Sequence, residues 1–397
     1  MYKLLKRCCQ LFLLLLAAVV LFFNAGFYFS PDVRSDEGCC PNKDVHHQLT
    51  YLKKKIHAGA AENMQHLFPE GHLFMNALYG LTWTELNNEA GDEALNEIDW
   101  ALAEMNSETG RRIFNEDLPL PYGAFYRGWT NYLTGKRLEA DIISQEITGL
   151  HEENFRLNCQ DIAKAYAEAE SPYLQSYHGG IWPADNLLAI ASLASYDRYF
   201  DTLRYQPLIE GWLAKVKKAL DPATGLIPHV VYEGAPPQGA RGSSQSLMLS
   251  LLPEIDSAFA AEQFALYQQY FVGQRLGLPG IREYPKGMEG TGDIDSGPVI
   301  WGIGGAASVV GQRAAYVNGD YELYKGLRNS IEAFGFGFTW FGKKRYVFGQ
   351  LPIADAFIAW SNSVEKTPAD APSSVPWPIH LVSLVLLLLI LWVGFKL

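Results

Sequence analysis

Two kinds of helical segment alternate along this chain, and the alternation limits the folds open to it. Residues 186–199, 243–252 and 299–316 read as helices that are rich in small residues and apolar nearly all round. Residues 202–220, 257–272 and 320–333 carry charge on one face. A helix apolar on every side must be buried on every side, while a two-faced helix is half exposed. An inner set of buried helices within an outer set of amphipathic ones satisfies both. With about a dozen helical segments, the pattern predicts an all-α fold, an (α/α)6 toroid of about six helical hairpins. A helical solenoid is the alternative, but no fixed-length repeat is present. The stretch "DEALNEIDWALAEMN" fits an outer helix, with Leu95, Ile98, Leu102 and Met105 on one face. Tight turns are expected at "TGK" (134–136) and "NGD" (318–320), and few strands are expected anywhere.

Both ends of the chain are apolar. Lys3, Lys6 and Arg7 precede a run over 11–29, and a second run over 379–395 is followed by Lys396. Each approaches the length a bilayer core demands. The first reads as a transmembrane helix or uncleaved signal anchor, with a cleaved signal as the alternative. The second reads as a retained span, with a GPI-type tail as the alternative. Basic residues at both outer edges place both tips, including residues 1–10, in the cytoplasm. The expected order is then a stalk over 30–60, an extracytoplasmic domain over 61–365 and a Pro-rich tether over 366–378. A bacterial inner membrane with the domain in the periplasm is the plainest setting. The composition, 48% hydrophobic and 13% aromatic, suffices for a large core, and a formal charge of −11 disfavours nucleic acid and anionic lipid as partners. Five cysteines with no paired metal spacing give neither a disulfide framework nor a zinc site.

Three long links, 171–186, 221–242 and 279–298, each precede an inner-type helix, so they are expected to meet at one end of the ring. The first, "SYHGGIWPADN", holds Tyr177, His178, Trp182 and Asp185, with Asp185 or Asn186 placed to cap the next helix. The second supplies His229, Tyr232, Glu233 and Arg241, the arginine suited either to a ligand or to carboxylates across the cleft. The third holds Arg282, Glu283, Glu289, Asp293 and Asp295, with Trp301 beyond. Asp293 and Asp295 flank one residue, so extended backbone turns both to one side. Mutual repulsion would raise one of their pKa values, as a general acid requires. A helix cap and a calcium ligand are the other roles open to them.

The "WPADN", "DPATGLIPH" and "GTGDIDSGP" links resemble those of six-hairpin α/α toroids, a superfamily of glycoside hydrolases, polysaccharide lyases and epimerases. From about residue 120 to 320 the order of elements is similar to the linalool dehydratase/isomerase family. There, cysteines flank a PDN-type loop; the matching positions here are Trp182 and Ala191, and the family's histidine falls near Tyr122. The resemblance therefore implies the fold and keeps Asp185 and the Asp293/Asp295 pair, but not the thiol chemistry. Two carboxylates under an aromatic rim suit glycoside chemistry. The expectation is a membrane-anchored enzyme hydrolysing a glycan, with Asp185, Asp293 and Asp295 catalytic. Tyr177, His178, Trp182, His229, Arg241, Arg282, Glu283 and Trp301 would bind substrate. A hydro-lyase acting on a small alcohol and a non-catalytic glycan-binding or envelope assembly module are the alternatives. No cofactor or metal is expected.

Overall fold

The computed structural model describes the chain apart from residues 1, 32, 34–41, 87–90, 145–148, 295, 366–375 and 397; of residues 141–144 and 150 it describes the backbone only. The described part is mostly helical. The helices of two turns or more are α1 (Tyr2–Gly26), α2 (Lys43–Ile56), α3 (Ala60–Leu67), α4 (Gly71–Glu85), α5 (Asp92–Met105), α6 (Gly123–Ser144), α7 (Gly149–Glu168) and α8 (Pro183–Tyr199). They continue with α9 (Gln206–Val216), α10 (Gly242–Ile255), α11 (Ser257–Tyr270), α12 (Gly305–Val317), α13 (Tyr321–Phe334), α14 (Pro352–Asn362) and α15 (Trp377–Lys396). Four antiparallel hairpins interrupt them: β1–β2 (Val230–Tyr232, Ala235–Gln238), β3–β4 (Val272–Arg275, Leu278–Ile281), β5–β6 (Val299–Ile300, Ile303–Gly304) and β7–β8 (Phe338–Trp340, Lys343–Arg345).

Helix character sets position. In α8 every residue from Pro183 to Asp197 is buried, as an all-round apolar helix requires. Helix α5 buries Leu95, Ile98, Leu102 and Met105 along the expected face. Contacts follow a closed order: α4 packs on α6, α6 on α8, α8 on α10, α10 on α12, α12 on α14, and α14 returns to α4. Each has an outer companion, α3 against α4, α7 against α6, α9 against α8, α11 against α10, α13 against α12 and α2 against α14.

Several local expectations differ from the structure. "TGK" lies inside α6, where Thr134 donates its hydroxyl to the Thr130 carbonyl. Residues 43–56, read as stalk, are α2 and bury Val45, Leu49 and Leu52 in the body. Residues 299–304 are the β5–β6 hairpin rather than helix, turning on positive φ at Trp301 and Gly302. The expected "NGD" turn is present: Asn318 ends α12, and Asp320 caps α13 by accepting from the Leu323 amide. Most of the tether, 366–375, lies outside the described residues.

Helices α1 and α15 are each long and apolar enough to cross a membrane. They run antiparallel: Leu13 lies against Gly394, while Asn24 hydrogen-bonds His380 across the other end. Tyr28 also bonds His380, at 2.7 Å.

A buried carboxyl makes the body's stability depend on pH. Asp355, in the first turn of α14, accepts the Tyr346 amide through Oδ1 at 2.8 Å, and its buried Oδ2 has no partner among the described residues. Burial pushes its pKa up to about 7. The folded state therefore holds a proton that the unfolded chain releases near pH 4, so stability falls as pH rises through the window from about 4 to about 7. Asp355→Asn keeps the acceptor and removes the charge. We expect it to raise the unfolding free energy at pH 8 by on the order of 2 kcal/mol, the full linkage being offset by burying the new amide. At pH 4 the gain should vanish; urea unfolding at both pH values reads the difference.

Candidate functional site

The three links expected to meet do bond to one another. The Val231 amide donates to the Ile181 carbonyl at 2.9 Å, and Gln175 reaches Glu233 at 2.9 Å, joining the first link to the second. The Gly242 amide donates to the Glu283 carbonyl at 2.9 Å, joining the second to the third. Only glycine fits at 242, because a Cβ there would collide with the Arg282 carbonyl.

Arg241 is the hub of this seam. It precedes α10 in extended conformation and is 5% exposed. Its Nε donates to Glu283 Oε1 at 2.8 Å, and its Nη1 to Asp293 Oδ2 at 2.6 Å. Nη1 also lies 3.4 Å from His229 Nε2. Its Nη2 is buried and has no partner among the described residues. A buried donor left unbonded costs about 1–3 kcal/mol.

The acids around Arg241 differ in state. Glu283 is fully buried and accepts the Ser243 hydroxyl at 2.8 Å and the Ser243 amide at 3.2 Å. Burial raises its pKa, against the opposing pull of Arg241 and Ser243. Asp293 is nearly half exposed. Partial burial works against its charge, but the Arg241 hydrogen bond and those from Ser296 outweigh it and hold the carboxyl well below the usual range. Of the two acids bonded to Arg241, the carboxyl of raised pKa is thus Glu283, while Asp293 is a stable anion. Asp295 lies outside the described residues.

His229 is neutral at physiological pH: burial first, then the Arg241 charge, brings its pKa down to about 4. With Arg241 donating to Nε2, the ring proton sits on Nδ1 and faces the Ser244 hydroxyl.

On the first link, Asp185 is buried and accepts the Ser176 hydroxyl at 2.6 Å. Neither Asp185 nor Asn186 caps α8, because Pro183 starts the helix and makes Trp182 the cap residue. Asn186 instead accepts from Tyr166 and from the Leu174 amide, fixing the link to α7. Tyr177 packs against Phe114, Phe125 and Trp182. His178 points outward to exposed Asp117 at 2.9 Å. Arg282 is spent on the loop itself, donating to the carbonyls of Tyr284 and Met288. Trp301 stands exposed at the β5–β6 tip. Tyr122 takes positive φ before α6. Cys159 is buried far along α7, its thiol pushed up to about 12 by burial.

Sequence reading missed Ser176 as a partner of Asp185, and missed the group Glu62, His72 and Glu104. In that group the donor atoms lie within 4.8 Å of one another, and neither ring nitrogen of buried His72 has a hydrogen-bond partner among the described residues, Nε2 lying 3.6 Å from Glu104. Burial lowers the His72 pKa, which keeps the imidazole neutral and able to ligate. These are the described residues best able to accept a divalent cation. No sequence spacing signals them, since they come from α3, α4 and α5.

No family model matches this chain, and no curated protein matches it either.

Proposed function

We propose that the body is an α/α toroid anchored by α1 and α15, and that its connector end is a carboxylate acid–base site for hydrolysing a glycan outside the cytoplasm. The toroid reading rests on the closed order of helix contacts and on the outer companion of each inner helix. The site reading rests on one observation, the buried seam in which Arg241 of the second link bonds Glu283 and Asp293 of the third, while the first link is tied to the second by the Val231–Ile181 and Gln175–Glu233 bonds.

In this reading Arg241, oriented by Glu283, is a positioning residue that fixes the Asp293 carboxylate through its Nη1. Asp293, held ionised by the same guanidinium, activates water or attacks directly. Asp185, on the neighbouring link, supplies the second carboxyl that glycoside chemistry needs. Tyr177 and Trp182 form an apolar wall on that side.

Release of reducing sugar by the purified full-length protein, across a panel of envelope and capsular glycans, tests the reading. Asp293→Asn and Asp185→Asn should each lower kcat about a hundredfold on the substrate found. Asp117→Asn, on the outward His178 pair, should leave kcat unchanged. Full activity in both carboxylate variants would remove the proposal.

A further inference from the structure

We infer that the connector end of the body lies in the interface of the bilayer that α1 and α15 cross, so that the proposed site faces the membrane surface.

Both apolar helices join the body at that end. Helix α1 meets the last turn of α13 and the start of the link that follows it. Gly26 approaches so closely that a Cβ would sit 2.6 Å from the Ala333 Cα. Phe27, Ile379, Leu278 and Ala333 bury one another in a small cluster separate from the main core. At the head of α15, Pro378 packs on Gly277, in the turn of β3–β4. The β3–β4 turn and the link after α13 both belong to connectors that lead into inner helices, as the site's links do.

Depth follows from register. Phe336 stacks on Phe22 with ring centroids 6.3 Å apart. Phe22 lies four residues before the end of α1, which at 1.5 Å per residue is about 6 Å inside the apolar helix. Phe348 stacks in turn on Phe336 at 6.1 Å. The connector aromatics therefore stand at the depth, about 5–10 Å, where interfacial apolar groups settle.

The exposed surface fits that depth. Around the β7–β8 tip Trp340 is 62% exposed, Phe341 87% and Phe348 64%. Leu276, Ile300 and Trp301 continue the patch, with Arg275 joining the β3–β4 and β5–β6 tips by donating to the Trp301 carbonyl. At the opposite end, the described links 200–205 and 318–320 leave Leu203 as their one exposed large apolar side chain. Tryptophan is favoured at headgroup level, and Arg275 and Lys343 beside the tips suit anionic headgroups. Resting on the carboxylate reading of the site, this placement gives the substrate class: an amphiphile whose hydroxylated head is a glycan and whose tail stays in the bilayer.

The test places a nitroxide at Phe341→Cys, and separately at Leu203→Cys, in the full-length chain with Cys8, Cys9, Cys39 and Cys40 changed to Ser. Both sites are exposed, so neither label disturbs the core. In vesicles of phosphatidylethanolamine and phosphatidylglycerol, the label at 341 should collide with oxygen far more than with a water-soluble nickel chelate, and the label at 203 the reverse. Equal nickel access at both positions would overturn the inference. So would protection of 341 from both reagents, which would mean that protein covers the patch. With the depth established, a lipid-linked glycan should be cleaved with kcat/KM about tenfold above its lipid-free form. Equal rates would overturn the substrate class. Hydrolysis of neither would remove the carboxylate reading and leave the membrane contact standing.

Discussion

Replacing Arg241 by methionine is expected to lower the unfolding free energy by about 3–5 kcal/mol and to abolish turnover. Glu283 is fully buried, and Arg241 is its only ionic partner among the described residues. Without the guanidinium, the carboxylate must either stay charged in low dielectric or take up a proton, and both states cost stability. The loss measures a stranded charge rather than the net worth of the pair. Asp293→Asn should cost far less, because Asp293 is nearly half exposed and water compensates for what it loses. Urea unfolding of the detergent-solubilised protein separates the two variants. Similar losses would mean that Glu283 is not the group Arg241 compensates.

Lys344→Met is the second large effect, again about 3–5 kcal/mol. Lys344 donates to Asp44 at 2.7 Å and to Glu332 at 2.6 Å, and Arg328 donates to Asp44 at 2.8 Å. Glu365 lies 3.9 Å from Arg328 and accepts the Tyr324 hydroxyl. All five charged groups are buried. Three carboxylates already face two cations, so losing a cation worsens the imbalance while losing Asp44 relieves it. Asp44→Asn should therefore destabilise less than Lys344→Met. The ammonium also sits 3.9 Å from the Phe29 ring centroid, so its loss loosens the junction with α1 as well. Lys343→Met, on the half-exposed neighbour, should shift stability by less than about 0.5 kcal/mol. Thermal unfolding of the three variants gives the order; equal Tm for Lys343→Met and Lys344→Met would discard the network.

Much of the helical frame was legible because burial on all sides leaves an unmistakable composition. Residues 183–197 carry that signature, and so does the alternation with charged companions. The hairpins were not legible. Their strands run two to four residues, too short for a period-two pattern. The stretch 299–304 is as apolar as the helix it leads into, so only the positive φ at Trp301 and Gly302 marks the turn. "TGK" misled because Gly135 is tolerated mid-helix, where it packs tightly against Ser195 and Phe155. Of the site, sequence composition showed which links held unusual residues, including Arg241 and the carboxylates across from it. It did not show that Glu283, rather than an aspartate of the third link, is the buried acid, because burial is a tertiary fact. Nor did it reveal the network of Asp44, Arg328 and Lys344, in which Asp44 lies 284 and 300 residues from its two partners along the chain.

The meeting of the second and third links is tested most directly by a double-mutant cycle of Arg241→Met and Glu283→Gln, read by urea unfolding. Bonded at 2.8 Å in a buried seam, the two side chains should couple by about 2–3 kcal/mol, the double variant recovering much of what Arg241→Met alone loses. Additivity within about 0.5 kcal/mol would mean the two residues do not touch, and the site built around Arg241 would be contradicted.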